Sequence, residues 1–261
     1  MERLLLGSFD AMIDARARQR SYWNALAYSD PDAAVIDPND KRGLKNRYLA
    51  EIRDAAFLQT LAAQGVEEGV LLDVGTGTGS AALPLLNAGH RVLGVDISFG
   101  LLRHAQERCA ADGGLFALID GRELPVKAQT FDAAIVYVVL SYLVDDSAAL
   151  ALLANIRMAL KPGAVLVMIE QVRRTRRISE DGLKVQRAIS EWSRLLAEAG
   201  FLSSSNTVLR HGRFPTTPLV KVGMVPRRFW PLVRGIETWV GRCFGVFKWD
   251  YAEVKFVAVA P

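Results

Sequence analysis

Leu71-Leu72-Asp73-Val74-Gly75-Thr76-Gly77-Thr78-Gly79-Ser80 is the stretch on which the fold of this chain turns. The apolar run 70–74 reads as a buried strand closed by Gly75, and residues 80–88 read as the helix that follows. Glycines at such a junction let the backbone turn tightly and approach a ligand closely. Loops of this kind also serve dinucleotides, so three further details matter. The third glycine, Gly79, comes two residues after Gly77, whereas the dinucleotide fingerprint wants glycine or alanine at position 80, which here is Ser80. Asp73 sits at the strand end, where a carboxylate repels a pyrophosphate and pairs with an ammonium group. Asp96 ends the next strand, 23 residues after Asp73, where an acid accepts hydrogen bonds from ribose hydroxyls. The implied ligand has a ribose and a positive charge and lacks a pyrophosphate. S-adenosylmethionine fits that description.

Outward from the loop, apolar runs predict further strands at 91–96, 115–119, 131–139, 164–169, 204–211 and 252–259. Helical spacing predicts helices over 9–30, 99–111 and 147–160, the last stopped by Pro162-Gly163. Leu44, Tyr48, Ile52 and Ala55 share one face of another helix, and Val185, Ile189, Trp192 and Leu196 mark one more. Strands alternating with helices predict an α/β fold, a doubly wound and mostly parallel sheet covered on both faces. Ligands bind such sheets beyond the carboxyl ends of the strands, at the switch point, which should lie beside strand 70–74.

The chain has 261 residues, of which 51% are hydrophobic and 23% charged, the profile of an ordinary globular protein. That excludes a largely disordered chain, a collagen and a disulfide scaffold. Cys109 and Cys243 lie far apart without metal-ligand spacing, which fits a reducing compartment and argues against a structural zinc site. The first apolar run holds only three leucines, too few for a signal peptide, and no stretch approaches the roughly 20 apolar residues of a membrane span. The expected location is the cytoplasm. Charge is uneven: residues 1–170 carry a net −5 and residues 171–261 a net +9. A basic C-terminal third suits an anionic partner such as phosphate, nucleic acid or a lipid surface, or is simply a solvated face.

Four segments, LLDVGTGTG (71–79), VLGVDIS (92–98), ALIDGRELPVKAQTFDAAIVYVVLSYL (117–143) and ALKPGAVLVMIE (159–170), stand in an order and spacing that resembles class I S-adenosylmethionine-dependent methyltransferases. The resemblance implies a seven-stranded Rossmann-like core over 65–212 and 251–261, an N-terminal helical cover over 1–64, and an insertion over 213–250 before the last strand. It implies S-adenosylmethionine as cofactor and S-adenosylhomocysteine as product. Asp73, Gly75, Thr76, Gly77 and Gly79 would surround the methionine end, with Asp73 on its amino group. Asp96 would take the ribose hydroxyls, Ile97 would lie against the adenine, and Asp120 would bond the adenine amine beside the backbone of Gly121. Tyr137 would lie near the transferred methyl. Asp120 as a turn cap and Tyr137 as core packing are the alternatives.

Many family members have His where this chain has Tyr142, so the general base is open among Glu170, His211, Asp145 and Tyr142. Glu170 paired with Arg173, and an anion held around His211, are competing readings. The segment AAVIDPNDKRGLKNRYL (33–49) is similar to the N-terminal piece of methyltransferases of bacterial glycan and polysaccharide biosynthesis. It suggests Tyr22, Trp23, Asp37, Asn39, Lys45, Asn46 and Tyr48 as cover or pocket residues. In the insertion, Phe229, Leu232, Val233, Ile236, Val240 and Phe244 share a helical face flanked by Arg227, Arg228, Arg234, Arg242 and Lys248, with Trp230, Trp239 and Trp249 nearby. That composition describes a lid packed on the core or a peripheral membrane contact through 227–249. Arg173-Arg174-Thr175-Arg176-Arg177 is a candidate phosphate site or a solvated loop.

The expected function is methyl transfer to a small-molecule, sugar or glycan acceptor. The alternatives are a quinone or lipid methyltransferase at a membrane surface and a non-catalytic cofactor-binding sensor. A nucleic-acid substrate is disfavoured, since the Asn/Asp-Pro-Pro-aromatic tetrapeptide of amino-directed nucleic-acid enzymes is missing.

Overall fold

The computed structural model describes residues 16–28, 36–37, 39–212, 214–243 and 250–261. Phe244, Lys248 and Trp249 of the insertion lie outside the described residues, as does the side chain of Arg242. The described part of the first helix, α1, covers 16–26. Then come α2 (Leu44–Ala63), β1 (Val70–Val74), α3 (Ala82–Asn87), β2 (Arg91–Asp96), α4 (Phe99–Cys109), β3 (Leu115–Leu118), β4 (Phe131–Tyr137) and α5 (Asp146–Ala159). The chain continues through β5 (Leu160–Arg173), β6 (Arg177–Ser179), β7 (Lys184–Gln186), α6 (Ile189–Glu198), β8 (Ser203–His211), α7 (Thr216–Lys221), α8 (Trp230–Cys243) and β9 (Tyr251–Val259).

Seven strands form one sheet in the order β3-β2-β1-β4-β5-β9-β8. β1, β2, β3, β4 and β5 run parallel, and β9 is antiparallel to both β5 and β8. The order reverses between β1 and β4, so the switch point lies where the glycine loop leaves β1. Successive side chains serve opposite faces. Ala134 and Val136 of β4 join Leu153, Ile156, Met168 and Trp192 on one face, while Ala133 and Ile135 join Phe57, Leu61, Leu85 and Val167 on the other. Both faces are apolar because helices cover both, which is why the strand sequences are nearly continuous apolar runs.

Two elements depart from the sequence reading. β5 starts at Leu160 rather than after Pro162-Gly163, since Gly163 at φ +77° carries the chain through a bulge opposite Phe131 and Ala133. β5 also continues past Glu170 to Arg173, because β9 pairs with it along that whole length. Val185, spaced as a helical residue, instead lies in β7, hairpinned onto β6. The helix starts only at Ile189, where the Glu191 carboxylate accepts the Ala188 N–H at 2.8 Å.

Candidate functional site

The loop after β1 needs its glycines. Gly75 has φ +72°, and a Cβ there would lie 2.3 Å from Val139 Cγ2. Gly79, also at φ +72°, lets the loop press on α4, where a Cβ would sit 3.1 Å from the Ala105 backbone. Thr76 Oγ1 donates to Asp73 Oδ2 at 2.6 Å, and Gly77 N–H donates to Asp96 Oδ2 at 2.9 Å. Ser98 N–H fills the other Asp96 oxygen at 2.8 Å. Two buried carboxylates thus converge on one loop. Burial pushes the Asp73 carboxyl up to about 6, against the pull of Thr76 and the Arg53 charge. Burial also raises Asp96, opposed by the backbone N–H groups of Ser98, Gly77 and Ile97.

These groups open onto a cavity of about 400 Å³ beyond the carboxyl ends of the strands. Asp73, Gly75, Thr76, Gly77, Asp96, Ile97, Asp120, Gly121 and Tyr137 all line it. Asp120 stands exposed at the rim and accepts Arg122 N–H at 2.8 Å, a bond that holds its carboxyl below the ordinary range. Ile97 and Gly121 face each other, a Cβ on Gly121 lying 3.2 Å from Ile97 Cγ2. Val138 follows Tyr137 with φ +54°, a left-handed conformation rare for a β-branched residue, and lines the same cavity.

α1 covers one side. Gln19 Nε2 donates to the carbonyls of Tyr142 at 3.0 Å and Leu183 at 2.7 Å. Trp23 meets the Tyr142 ring edge-on at 4.8 Å, and Lys184 Nζ donates to Tyr142 Oη at 3.2 Å. α2, α7 and the β8–β9 edge supply the other side with Lys45, Leu49, Arg53, Arg210, Thr217, Lys221, Tyr251 and Glu253. Arg210 is buried, donating from Nη1 to Glu253 at 3.1 Å and from Nη2 to Thr217 Oγ1 at 2.8 Å.

Several expected site residues lie elsewhere. Glu170 is fully buried and off the cavity wall. Its oxygens take Leu140 N–H at 2.8 Å and the Ser141 hydroxyl, so it anchors the turn that presents Tyr142. Burial pushes its carboxyl up to about 7. It is not paired with Arg173, which binds Asp250 at 2.6 Å. His211 is off the wall, although Arg210 and Gly212 are on it, and desolvation lowers its ring. Asp145, a third base candidate, caps α5 through Ser147 N–H and is also off the wall. Asn39 is an exposed turn residue whose N–H bonds Asp37. Tyr48 is fully buried and packs edge-on against Trp230 at 5.3 Å, burial pushing its hydroxyl up to about 12. Tyr22 meets the Trp23 ring edge-on at 5.1 Å without lining the cavity, and Gly79 is behind the loop. Tyr142 and Trp23 do line it.

Two of the four arginines in the 173–177 cluster are engaged internally, Arg173 with Asp250 and Arg176 with Asp146 at 2.9 Å and Glu191 at 3.2 Å, while Arg174 and Arg177 are exposed. The apolar stripe of α8 is not a core face. Phe229, Leu232, Ile236 and Trp239 are exposed, whereas Trp230 and Glu237 point inward. Sequence reasoning missed Arg53 and Glu253 on the wall and singled out Arg210 only as part of the anion-binding run around His211. Arg53 had a readable signal: it shares a helical face with Leu49 and Phe57, both buried.

A family model described as a methyltransferase domain matches residues 71–163. A demethylmenaquinone methyltransferase of Thermobifida fusca (strain YX) is 35% identical over 144 residues, covering 53% of this chain and 60% of that protein. The chain thus spans less than two thirds of this curated relative's length. Among solved structures, a SAM-dependent methyltransferase of Leishmania major superposes with TM-score 0.66 at 15% identity, covering 94% of this chain and 82% of that one. The [4+2]-cyclase SpnF superposes with TM-score 0.61 at 23% identity, covering 85% and 84%. Residues 71–163 match a methyltransferase domain, and the chain has the fold of the class I S-adenosylmethionine-dependent methyltransferases.

Proposed function

We propose that this protein transfers a methyl group from S-adenosylmethionine to a small-molecule acceptor, with a sugar or glycan as one class. The observation that carries the reading is the convergence of two buried carboxylates, Asp73 and Asp96, on a glycine loop at the mouth of one cavity. A buried carboxylate raised by desolvation gains most from a cationic ligand, which suits Asp73 to the amino group. Asp96 keeps acceptor capacity for ribose hydroxyls beside its two backbone donors. Gly75, Thr76 and Gly77 would follow the methionine end, Ile97 and Gly121 would flank the adenine, and Asp120 at the rim would meet its amine. The cofactor, when bound, supplies an electrophilic methyl on a good leaving group. The chain's own task is then to align the acceptor and exclude water. Trp23 and Gln19 of α1 close one side. Tyr142, whose hydroxyl is raised by burial and takes a hydrogen bond from Lys184, orients rather than removes protons. Where the acceptor is a hydroxyl, Glu253 is the carboxylate that the β8–β9 side of the wall offers.

Isothermal titration with S-adenosylhomocysteine tests the reading. Absence of binding to the wild-type protein refutes it.

A second reading, a quinone or lipid acceptor met at a membrane surface, has its own observation. Leu219, Val222, Met224, Phe229, Leu232, Ile236 and Trp239 are exposed along α7, α8 and the segment between them, with Leu232 at 61% and Trp239 at 59%, and exposed Arg227 and Arg228 beside them. Thr217, Pro218 and Lys221 of the same segment line the cavity. Among the described residues no helix is long and apolar enough to cross a membrane, so contact would be peripheral. Flotation with vesicles containing anionic lipid should carry the protein upward, and Leu232→Ser with Trp239→Ser should abolish it. Wild-type protein left at the bottom of the gradient refutes this version.

A further inference from the structure

Lys45 and Lys221 come from helices far apart in sequence, α2 and α7, and both line the cavity. Both reach one oxygen: Lys45 Nζ lies 2.7 Å and Lys221 Nζ 3.4 Å from Asp37 Oδ2. The other Asp37 oxygen accepts Asn39 N–H at 2.9 Å. Against desolvation by burial, Lys45, the Asn39 N–H and Lys221 hold this carboxyl below its ordinary range, so it is ionised at neutral pH. Asp37 itself is off the cavity wall. The buried cations of the wall are arranged differently, each with an acid of its own. Arg53 has Asp54 at 2.7 Å, Arg210 has Glu253 at 3.1 Å, and Lys184 has Glu180 at 3.5 Å. At the Lys45–Lys221 corner, among the described residues, two ammonium groups share one carboxylate. Each ammonium has three donors, of which Asp37 takes one. Like charges held this close repel, and an anion entering from the cavity relieves the repulsion. Thr217, one turn before Lys221, also lines the cavity; its Oγ1 accepts from Arg210 at 2.8 Å and can still donate.

α2 also sets a distance. Lys45, Leu49 and Arg53 follow one another at one-turn intervals, and all three line the cavity. Arg53 marks the reacting end, over the Tyr137 ring at 5.2 Å from its centroid. Eight residues at roughly 1.5 Å each put the lysine corner about 12 Å from that end. Leu49, between the two on the helix, and Ile36, next to Asp37 in sequence, give the wall apolar cover.

We propose that Lys45 and Lys221 bind an anionic group of the acceptor, a phosphate or a carboxylate, carried about 12 Å from the atom that is methylated and joined to it by an apolar stretch. The inference rests on the methyl-transfer reading, which makes the occupant the acceptor, and it names that acceptor's chemistry. The alternative is that the two lysines only tie Asp37 between α2 and α7. The two differ in whether a ligand's charge matters.

Calorimetry on the full chain, with S-adenosylhomocysteine present, separates them using hexyl phosphate, hexanoate, hexan-1-ol and inorganic phosphate as probes. Wild type should bind hexyl phosphate or hexanoate at least about tenfold more tightly than hexan-1-ol, the range of a hydrogen bond to a charged group. The tighter of the two identifies the anion. Inorganic phosphate, which leaves Leu49 and Ile36 uncovered, should bind more weakly than hexyl phosphate. Lys45→Met with Lys221→Met should erase the preference over hexan-1-ol, and Lys45→Arg with Lys221→Arg should keep it. Removing both lysines strands the Asp37 charge. If the methionine variant fails to fold, adding Asp37→Asn removes that charge and carries the same comparison. No preference for an anion in wild type, or a preference that survives in the methionine variants, overturns the proposal. Titration of wild type with S-adenosylhomocysteine alone keeps the two readings apart. Binding there without an anion preference removes this proposal only, whereas no binding removes the methyl-transfer reading and this proposal with it.

Discussion

Asp73→Asn should stabilise the ligand-free protein near neutral pH while crippling cofactor binding. Asp73 is almost fully buried, and its carboxyl titrates at about 6 against an ordinary 3.8. Because the folded value is the higher one, its contribution to stability is fully present below pH 3.8 and is lost as pH rises through 6. The whole shift corresponds to about 3 kcal/mol. Between pH 5 and pH 8 the loss is about 1.4 kcal/mol, since at pH 5 part of it has already occurred. Asparagine keeps an oxygen for the Thr76 hydroxyl and carries no charge. The stability difference, variant minus wild type, should therefore be about 1.4 kcal/mol more favourable at pH 8 than at pH 5. Urea unfolding at the two pH values measures it, and affinity for S-adenosylhomocysteine should fall at least tenfold if the ammonium loses a charged partner. A stability difference independent of pH would refute the reasoning, because the burial cost would then lie elsewhere. So would a variant that binds the ligand like wild type.

Gly75→Ala places a side chain at φ +72° and 2.3 Å from Val139, and should cost about 3 kcal/mol in urea unfolding with loss of ligand binding. Glu170→Gln should leave S-adenosylhomocysteine affinity unchanged, since Glu170 anchors the Leu140–Ser141 turn rather than lining the cavity. Its folded value near 7 lies above the ordinary 4.5, so the variant should also flatten the fall in wild-type stability as pH rises through 7. Trp230→Ala empties the site where α8 packs edge-on against Tyr48 and should cost about 3–5 kcal/mol, read as a lower thermal midpoint.

Local rules carried most of the fold. The seven strands and the helices between them were legible from the run lengths of apolar residues and from helical spacing, because each is a property of a few neighbouring residues. The glycine loop was legible for the same reason: positive φ at 75, 77 and 79 is a demand that glycine meets locally. With Asp73 and Asp96 at the ends of adjacent strands, parallel pairing of β1 with β2 brings both acids to one loop. The misreadings were equally physical. Glu170 was placed at a strand's open end, but β9 pairs with β5 through Arg173 and keeps the strand going, so the carboxylate is enclosed. Val185 met a helical spacing and yet lies in a hairpin, since periodicity over four positions does not distinguish a helix from a short buried strand beside one.

What the sequence alone determined about this protein is the order of its elements and the cofactor-side loop, both set by interactions within a dozen residues. The far wall of the cavity was decided only by tertiary structure. Gln171, Arg210 and Glu253 become neighbours through the antiparallel insertion of β9 between β5 and β8, and Arg53 reaches Ser80 only because α2 packs over the loop. A polar residue faces a cavity or the solvent according to what lies across from it. That partner comes from chain segments tens to hundreds of residues away, so no local pattern in the sequence reports it.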